Sequence, residues 1–500
     1  MSRRSRRGPN TADARRRIVL LACICVALVL GAVARSGSDR APSFAAVKSY
    51  ATGGSGPLAI ADLNGDGRLD LAVPNDATTV SVLFNRGGGR FAPRRQYATG
   101  ARPGSLAIAD LNVDGKPDLA TANIDAGTVS VLLNRGKGRF APRRTYATGA
   151  RPTSIAIADL NGDGKPDLAT PTDADTVSVL LNRGDGSFEP RRHYATGAGF
   201  ASLALSDLNG DGKPDLATAN YNANTVSVLL NRGDGSFEPR SDYATGRSPG
   251  SLALADLNGD NRPDFATANS ANTISVLLNR GDGSFAHRRD YAIGEGPGPL
   301  AIADLNGDHK PDLAIANGIT TVSVLLNRGD GRFAPRRHYP TGVYADTLEI
   351  ADLNQDGKPD FAMSFFRDSP DSRTVTVLLN RGNGSFLRRV DFRTAGWPVF
   401  PIAIADLNAD GRQDVLTSDG NTVSALINKP GLCNVQPVAD MMLAAAKRQL
   451  ARANCHLGRV RRVYSTGRGA GWVLSQKPRF GVVLRGGAKV NLVVSRGRKR

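Results

Sequence analysis

The sequence predicts a mainly β protein, an eight-bladed β-propeller followed by a small α+β domain. Two observations support this prediction. A nine-residue pattern, D-x-N-x-D-x-x-x-D, recurs eight times at spacings of 48 to 54 residues. Each interval also contains several short strand-like runs separated by glycine-rich turns. A period of this size is typical of propeller blades rather than of independent domains.

The third repeat shows the four strands expected in each blade. Residues 154–158 form a strand-like run that enters the aspartate loop 159–167. A second strand is expected to begin at 168–170, a third to cover 176–181 and a fourth 191–195. No stretch of ten residues in this unit has helical periodicity, so the repeat is expected to be entirely β.

The two ends of the array predict how the ring closes. Residues 44–53, F-A-A-V-K-S-Y-A-T-G, match the fourth-strand segments 91–100 and 140–149, whereas the last repeat stops at a third strand, 423–427. The leading segment can therefore supply the missing strand, giving eight complete blades over 44–428 and leaving no open sheet edge. A seven-bladed ring with one detached unit is the alternative.

Composition and charge narrow the functional classes. With 40% hydrophobic and 22% charged residues, the 500-residue chain can bury a core and is not disordered throughout. The net charge of +18 is unevenly distributed: residues 1–42 have a net charge of +7, residues 43–432 of −3 and residues 433–500 of +14. Because the bulk of the chain is nearly neutral, no nucleic-acid partner is expected.

The N-terminus has the pattern of an export signal. A basic segment, 1–17, is expected to stay in the cytoplasm and precedes an uncharged apolar run at 18–34. This run would span roughly 26 Å as a helix, at the short end for a hydrocarbon core of about 30 Å. A cleaved signal peptide, with A-V-A at 32–34 as its cleavage site, and a retained transmembrane signal anchor both stay open. Either way, everything from the linker 35–43 onward is expected to be extracytoplasmic, as a membrane-anchored or a secreted, wall-associated protein.

The aspartate loops have the donor pattern of a calcium site. In the third loop Asp159, Asn161, Asp163 and Asp167 occupy positions 1, 3, 5 and 9, and Lys165 at position 7 can offer its main-chain carbonyl. Alternate residues of a tight loop point inward, so hard oxygen ligands converge on a Ca²⁺-sized space. There is no glutamate at position 12 and no flanking helix, unlike in an EF-hand. Up to eight mainly structural calcium ions are therefore expected; solvated turns without metal and calcium that bridges a ligand are the alternatives.

The forty candidate metal ligands occupy positions 1, 3, 5, 7 and 9 of the eight loops: Asp62, Asn64, Asp66, Arg68, Asp70, Asp110, Asn112, Asp114, Lys116, Asp118, Asp159, Asn161, Asp163, Lys165, Asp167, Asp207, Asn209, Asp211, Lys213, Asp215, Asp256, Asn258, Asp260, Arg262, Asp264, Asp304, Asn306, Asp308, Lys310, Asp312, Asp352, Asn354, Asp356, Lys358, Asp360, Asp406, Asn408, Asp410, Arg412 and Asp414. In loops five and six the glycine of position 6 is replaced by Asn261 and His309, which tolerate a left-handed backbone. Weaker sites are expected there.

The repeated units D-L-N-G-D-G-K-P-D-L-A-T and T-V-S-V-L-L-N-R-G-D-G-S-F resemble FG-GAP or VCBS repeats, which are similar to the blades of the integrin α-subunit propeller. The resemblance covers about 44–428 and implies a binding or scaffolding domain of a bacterial surface or secreted protein. Some propellers of this kind accompany enzymes.

Three further features of the array have an ordinary structural explanation. The Arg-Gly-Asp tripeptides lie in the same hairpin of successive blades and are explained by turn chemistry; they begin at Arg183, Arg232, Arg280 and Arg328. Arginine pairs in the outermost strands protect blade edges or, alternatively, form a rim for anionic polymers; they begin at Arg94, Arg143, Arg191, Arg288, Arg336 and Arg388. The histidines at 193, 287, 309 and 338 occupy nonequivalent or turn positions without a nucleophile motif, so no enzyme is expected.

The last part of the chain has a different sequence pattern from the repeats. Residues 437–453 have helical spacing, and short strands are expected around Val460, 472–475 and 490–494. The order C-x-V-x-P-V-A, L-x-x-A-x-x-x-L-x-x-A-x-C-x-x-G and V-L-S-Q-K-P-x-x-G resembles a PASTA domain over 433–497, after a linker at 429–432. That family is known for binding peptidoglycan or its muropeptides, although Ala-Asp-Met at 439–441 departs from its usual valine and glycine segment.

Cys433 and Cys455 bracket the predicted helix and are expected to form a disulfide in an oxidising compartment. The sequence as a whole predicts an exported cell-envelope binding or scaffold protein. Peptidoglycan or anionic wall polymers are the expected partners of the PASTA domain and basic tail, and an unidentified glycan or protein is the expected ligand of the propeller. The membrane is a partner if the N-terminal segment is retained. The alternative function is a wall- or polysaccharide-modifying enzyme that uses the propeller face.

Overall fold

Short strands account for most of the structure. The computed structural model describes residues 41–498 apart from 55, 76, 319, 343–344, 366–372 and 397–401. The predicted basic segment and signal or anchor segment, 1–34, lie outside the described residues. In the described part of the chain there are 37 strands and one helix, and no helix there is long and apolar enough to cross a membrane.

The described chain forms eight four-stranded antiparallel sheets, and this repeated arrangement confirms the predicted mainly β propeller class. We number the sheets as blades 1 to 8; the first strand, β1 (Lys48–Ala51), belongs to blade 8. Blade 1 consists of β2 (Ala59–Ala61), β3 (Asp70–Pro74), β4 (Thr79–Leu83) and β5 (Arg95–Ala98), and blade 2 of β6 (Pro103–Ala109), β7 (Asp118–Asn123), β8 (Thr128–Leu132) and β9 (Arg144–Ala147). Blade 3 consists of β10 (Ala156–Ala158), β11 (Asp167–Thr172), β12 (Thr176–Leu180) and β13 (Arg192–Ala195), and blade 4 of β14 (Phe200–Ser206), β15 (Asp215–Asn220), β16 (Thr225–Leu229) and β17 (Ser241–Ala244). Blade 5 consists of β18 (Pro249–Ala255), β19 (Asp264–Asn269), β20 (Thr273–Leu277) and β21 (Arg289–Ala292), and blade 6 of β22 (Pro297–Ala303), β23 (Asp312–Asn317), β24 (Thr321–Leu325) and β25 (Arg337–Pro340). Blade 7 consists of β26 (Ala345–Ala351), β27 (Asp360–Phe365), β28 (Thr374–Leu378) and β29 (Val390–Arg393), and blade 8 of β30 (Ala403–Ala405), β31 (Asp414–Ser418), β32 (Thr422–Leu426) and β1.

Strand β1 completes blade 8 from the other end of the array. It pairs antiparallel with β32, and Phe44 forms a further bridge to Asn428. Blade 1 then packs on blade 8 through a cluster of buried residues that includes Leu71 and Leu416. The N-terminal segment therefore contributes the strand that the last repeat lacks, as the matching sequences predict.

Small apolar side chains fill the spaces between neighbouring sheets. In blade 3 the alternate residues Val177 and Val179 of β12 are fully buried and pack against Leu216 and Leu229 of blade 4. Five of the eight third strands have the sequence T-V-S-V-L, and the other three differ from it at one position each. Because successive side chains of a strand point to opposite faces, this alternation lets each central strand contact both neighbouring blades.

A buried asparagine after each third strand joins neighbouring blades, and we call it the blade asparagine. Asn231 shows its contacts: its main-chain N–H donates to Asp215 Oδ1 at 2.7 Å, and its Nδ2 donates to the carbonyl of Leu160 in the preceding blade at 2.9 Å. Its Nδ2 also donates to Pro214 O, and its Oδ1 accepts the N–H of Gly233. Every polar group of the side chain is thus satisfied inside the protein. The blade asparagines are Asn85, Asn134, Asn182, Asn231, Asn279, Asn327, Asn380 and Asn428.

Fourth-strand side chains add a second set of links between blades. Tyr97 packs edge-to-face on Phe140 of the next blade, and its hydroxyl donates to Gly138 O at 2.8 Å. The guanidinium of Arg95 donates to the same carbonyl. Equivalent bonds made by Arg144 and Arg192 show that the second arginines of several pairs bridge blades. These arginines therefore connect neighbouring blades as well as keeping the blade edges solvated.

The C-terminal domain has one helix, α1 (Leu443–Arg452), and five strands: β33 (Leu432–Asn434), β34 (His456–Val463), β35 (Val473–Lys477), β36 (Val483–Arg485) and β37 (Lys489–Ser495). Strands β34, β37 and β35 form one sheet in that order, and β33 pairs with β36. The helix prediction of 437–453 is too long at its start. Asp440 has a positive φ of 58° and its N–H bonds to Val473 O, while Val473 N–H bonds to Met441 O. Pairing with the strand therefore replaces the first helical turns.

Two buried amide side chains attach this domain to the propeller. Asn434 accepts the N–H of Phe44 at 3.0 Å and donates to the carbonyl of the same residue at 2.6 Å. Gln436 makes the same two bonds with the main chain of Asp391, at 2.9 and 3.0 Å. Gln449 of α1 adds a bond to Arg389 O at 2.9 Å. A cavity of about 150 Å³ lies beside these contacts.

We expect replacement of a blade asparagine to destabilise the ring strongly. Asn231→Ala would leave the carbonyl of Leu160 and the N–H of Gly233 without their partners, at a cost of about 2–4 kcal/mol. Urea unfolding measures the change. Asn222→Ala, at an exposed loop position of the same blade, is the matched control and is expected to change stability by less than about 0.5 kcal/mol. Equal effects of the two variants would contradict a special role for the blade asparagine.

Candidate metal centres

The carboxylate at position 1 shapes each aspartate loop. In the third loop Asp159 Oδ1 accepts the N–H groups of Gly162 at 2.8 Å and Asp163 at 3.1 Å, and Oδ2 accepts that of Gly164 at 2.8 Å. The loop is therefore a tight turn closed on one side chain, between the first and second strands of the blade.

Position 6 has a left-handed backbone in all eight loops, with φ between 62° and 81°. Asn261 and His309 adopt it as the glycines do, and their N–H groups donate to the position-1 carboxylate at 2.8 Å. Loops five and six therefore keep the same hydrogen bonds as the others. Only glycine adopts such a φ without steric cost, so these two loops contain a small strain.

The aspartate at position 9 begins the second strand and is fully buried. In blade 3 Asp167 Oδ2 accepts the N–H of Leu160 at 2.9 Å and Oδ1 accepts that of the blade asparagine, Asn182, at 2.7 Å. Burial raises its pKa to about 6; the two N–H bonds oppose this rise, and the carboxylates of Asp163 and Asp159 add to it. The loop thus places two carboxylates that are exposed or half-buried close to one that is fully buried.

The other seven position-9 aspartates behave similarly. Burial raises the pKa of Asp70, Asp118, Asp215 and Asp264 to about 6. It raises the pKa of Asp312 and Asp414 to about 7, and that of Asp360 well above its ordinary value. In each of these loops the carboxylates at positions 5 and 1 contribute to the rise.

In seven of the eight loops the basic residue at position 7 pairs with the aspartate at position 5, a contact that was not predicted from the sequence. The ammonium of Lys116 lies 2.8 Å from Asp114, and that of Lys165 lies 3.0 Å from Asp163. Although burial acts to raise it, the hydrogen bond from the lysine side chain lowers the pKa of Asp114. Each pair is partly exposed and adds little stability, but it partly neutralises the loop.

The donor chemistry of the loops fits a hard divalent cation. Carboxylates, an amide oxygen and a main-chain carbonyl are the ligands that calcium prefers, and the buried Oδ1 of Asn64 has no hydrogen-bond partner in the structure. In the described ranges, however, no three side chains of the acidic, histidine or cysteine type come close enough together to be recognised as a metal cluster.

Two of the four histidines occupy equivalent strand positions, which corrects the expectation that they lie at nonequivalent or turn positions. His193 and His338 lie in fourth strands, and the Nδ1 of each lies 3.0 Å from a buried serine, Ser178 or Ser323. In blade 3 Arg191 donates to His193 Nε2, so Nδ1 is the protonated nitrogen, and Ser178 gives its own proton to the carbonyl of Thr148. This imidazole cannot accept the serine proton. Burial and then the neighbouring arginine lower the pKa of both histidines.

The remaining candidate residues have clear positions. Arg183 and Asp185 of the first Arg-Gly-Asp tripeptide are exposed at a hairpin tip, where Asp185 accepts the N–H of Ser187 at 2.8 Å. Cys433 and Cys455 form a disulfide across the buried core of the C-terminal domain, with Cα atoms 4.8 Å apart.

Comparison with known sequences identifies both parts of the chain. The FG-GAP-like repeat family matches residues 62–121, 110–170, 159–218, 207–267, 256–315, 304–363 and 364–417. The PASTA domain family matches residues 434–496. These matches confirm the resemblances inferred from the repeated units and the terminal segment. No curated protein sequence matches the chain.

Several solved structures are similar in fold. Saccharomyces cerevisiae Sqt1 aligns with a TM-score of 0.53 and 13% identity, covering 80% of this chain and 100% of that one. A lectin from Agrocybe aegerita that recognises non-reducing terminal N-acetylglucosamine aligns with a TM-score of 0.44 and 21% identity, covering 71% and 91%. A functionally unknown protein from Desulfotomaculum acetoxidans aligns at 0.43 and 14%, covering 69% and 97%. At these identities the similarity to Sqt1 concerns the fold alone.

We expect the metal-free protein to lose stability as the pH rises from about 4 to about 7. Raised folded-state pKa values mean that the position-9 aspartates keep protons that the unfolded chain, with a pKa near 3.9, has released. The native state therefore binds more protons in this window, and its stability decreases with pH. Urea midpoints in EDTA at about pH 5 and about pH 7.5 measure the effect. Asp215→Asn is expected to reduce the slope, and a midpoint that increases with pH would contradict the prediction.

Proposed function

This chain belongs to the FG-GAP-like repeat family and ends in a PASTA domain, and we propose that it is an exported cell-envelope binding or scaffold protein. PASTA domains are generally associated with peptidoglycan or β-lactam binding. The observation that supports the proposal best is that Asn434 and Gln436 hold the PASTA domain to the propeller by buried hydrogen bonds. A wall-associating domain held in this way would display the propeller at the wall.

In this proposal calcium stabilises the propeller. The side-chain oxygens at positions 1, 3, 5 and 9 and the main-chain carbonyl at position 7 would hold it. When bound, the ion would neutralise the loop carboxylates. Burial first, and then repulsion from the neighbouring carboxylates, raises the pKa of the position-9 aspartates. The unpartnered Oδ1 of Asn64 supports an oxygen-coordinated ion in the first loop.

We propose that the chain is not an enzyme. The alternative, a wall- or polysaccharide-modifying enzyme, needs a nucleophile with a base or a pair of free acids in a cleft. In both serine–histidine pairs the imidazole nitrogen nearest the serine carries a proton, so it cannot act as a general base. Ser178 and Ser323 are also fully buried. In this proposal the loop aspartates hold calcium, so they do not supply a pair of free acids.

Removal of calcium is expected to lower the melting temperature of the protein by more than about 10 °C. With a dissociation constant of about 0.1 mM in about 1 mM calcium, each site adds roughly 1.4 kcal/mol, and eight sites together add about 11 kcal/mol. Melting curves in EDTA and in calcium measure the difference. Asp163→Asn, which disables one loop, is expected to cause only a small change. Identical curves in EDTA and calcium would contradict structural calcium.

Wall association is expected to depend on charge as well as on specific recognition. The full chain is expected to sediment with purified cell walls, and a large part of this binding is expected to be lost by about 0.5 M NaCl, because salt screens the +14 C-terminal region. Walls stripped of anionic polymers serve as the comparison and are expected to retain the salt-resistant part. Absence of sedimentation at low salt would refute wall association.

A further inference from the structure

One face of the C-terminal sheet is open and polar. In β37 the side chains of Val490, Leu492 and Val494 are buried against the helix side of the domain. Because side chains alternate along a strand, Lys489 and Asn491 lie on the opposite face, where both are exposed. This solvent-facing side of β34, β37 and β35 is called the basic face below.

Strand pairing adds further cations to the basic face. Arg461 of β34 pairs with Val493, and Lys477 of β35 pairs with Asn491, so both side chains share the face of their partners. Arg459 lies at the bulge of β34, where its N–H donates to Asn491 Oδ1 at 2.7 Å. All three cationic side chains are exposed. The face therefore presents them together with Lys489 over three adjacent strands.

Among the described residues, no acid pairs with the cations of the basic face. Asp440 is the one acidic residue after residue 432. It pairs with Arg468 at 2.7 Å and bonds to Val473, at the opposite end of β35 from Lys477. Within the described part of the domain, Arg459, Arg461 and Lys489 take part in no ion pair. Isolated surface cations are ordinary, but four on one sheet face without an interspersed acid produce a local positive potential.

We infer that the basic face binds a linear polyanion, whose charges are phosphodiester or carboxylate groups. This inference rests on the proposed function and names the chemistry of its wall partner. Cations on neighbouring strands and on alternate residues are roughly 5–7 Å apart, so successive charges of a flexible chain can each reach one of them. The arginine fork bonds such anions with two parallel N–H groups. Because the cations are spread over three strands, an extended polymer can contact more of them than a single small sugar can.

The test compares two double variants of the full chain that remove the same two charges, one arginine and one lysine. Arg461→Gln/Lys489→Gln changes the basic face, and Lys447→Gln/Arg448→Gln changes exposed positions of α1. Binding of long-chain inorganic polyphosphate is measured by titration at about 0.05 M NaCl, where screening is weak. The basic-face variant is expected to bind about tenfold more weakly and the helix variant less than about twofold more weakly, since each lost contact is worth about 0.5–1 kcal/mol.

The controls separate this inference from simple net charge and from other partners. Polygalacturonate is expected to bind through the same face, and neutral dextran is expected not to bind. Equal losses in the two double variants, binding of dextran, or absence of polyphosphate binding would overturn the inference. Tighter binding of phosphatidylglycerol vesicles than of polyphosphate would assign the face to a lipid surface instead. Lys489→Gln alone provides a second variant if the double variant folds poorly.

The two proposals fail in different experiments. Polyphosphate titration contains no cell wall, so a protein that binds polyphosphate through the basic face but does not sediment with walls would refute the proposed function alone. A protein that sediments with walls equally well with and without Arg461 and Lys489 and ignores polyphosphate would refute the polyanion face alone.

Discussion

The hydrogen bonds of the buried blade asparagine are the interaction on which the propeller depends. Its N–H fixes the position-9 aspartate of its own blade, and its amide reaches the aspartate loop of the preceding blade. Strand pairing, loop conformation and blade-to-blade contact are thereby joined in one hydrogen-bonded unit. Asn85 makes the same bond to Leu407 at 2.7 Å, so the series also crosses the junction of the first and last blades. Because both partners are buried, losing either one leaves a polar group with no hydrogen-bond partner from water or protein.

This arrangement places the position-9 carboxylate in the buried interior of the blade, where a negative charge is least stable. The position-9 carboxylate must accept two N–H groups to begin the second strand, yet the carboxylates at positions 1 and 5 share its loop. The structure reduces the repulsion partly through the ion pair between positions 7 and 5 and partly through main-chain donors. A proton or a bound cation would complete the neutralisation. The same aspartates thus begin the second strand and concentrate the negative charge of the loop.

Sequence patterns predicted what is local and periodic. The repeat length, the strand order, the left-handed position 6 and the supply of a fourth strand by residues 44–53 all follow from neighbouring residues or from matching segments. Contacts between residues about 70 positions apart, such as Asn231 with Leu160, do not show in a one-dimensional pattern. The equivalence of His193 and His338, by contrast, is visible in the sequence, because each lies between an arginine pair and a tyrosine. Only their contacts with Ser178 and Ser323 on the neighbouring strand required the structure. Helix α1 begins later than its periodicity predicts because Asp440 and Met441 bond to Val473.

The junction of the two domains also holds the start of the described chain. Asn434 and Gln436 bond to the main chains of Phe44 and Asp391 as a neighbouring strand would, but through side chains. Close to them the N–H of Ala41 bonds to Arg452 O, and Ser43 Oγ bonds to Leu432 O. Any tether that precedes Ala41 would therefore leave the molecule beside the PASTA domain. A membrane anchor and a wall-associating domain at the same point would leave the remaining blades of the ring free of both attachments, which is the arrangement that a displayed binding surface requires.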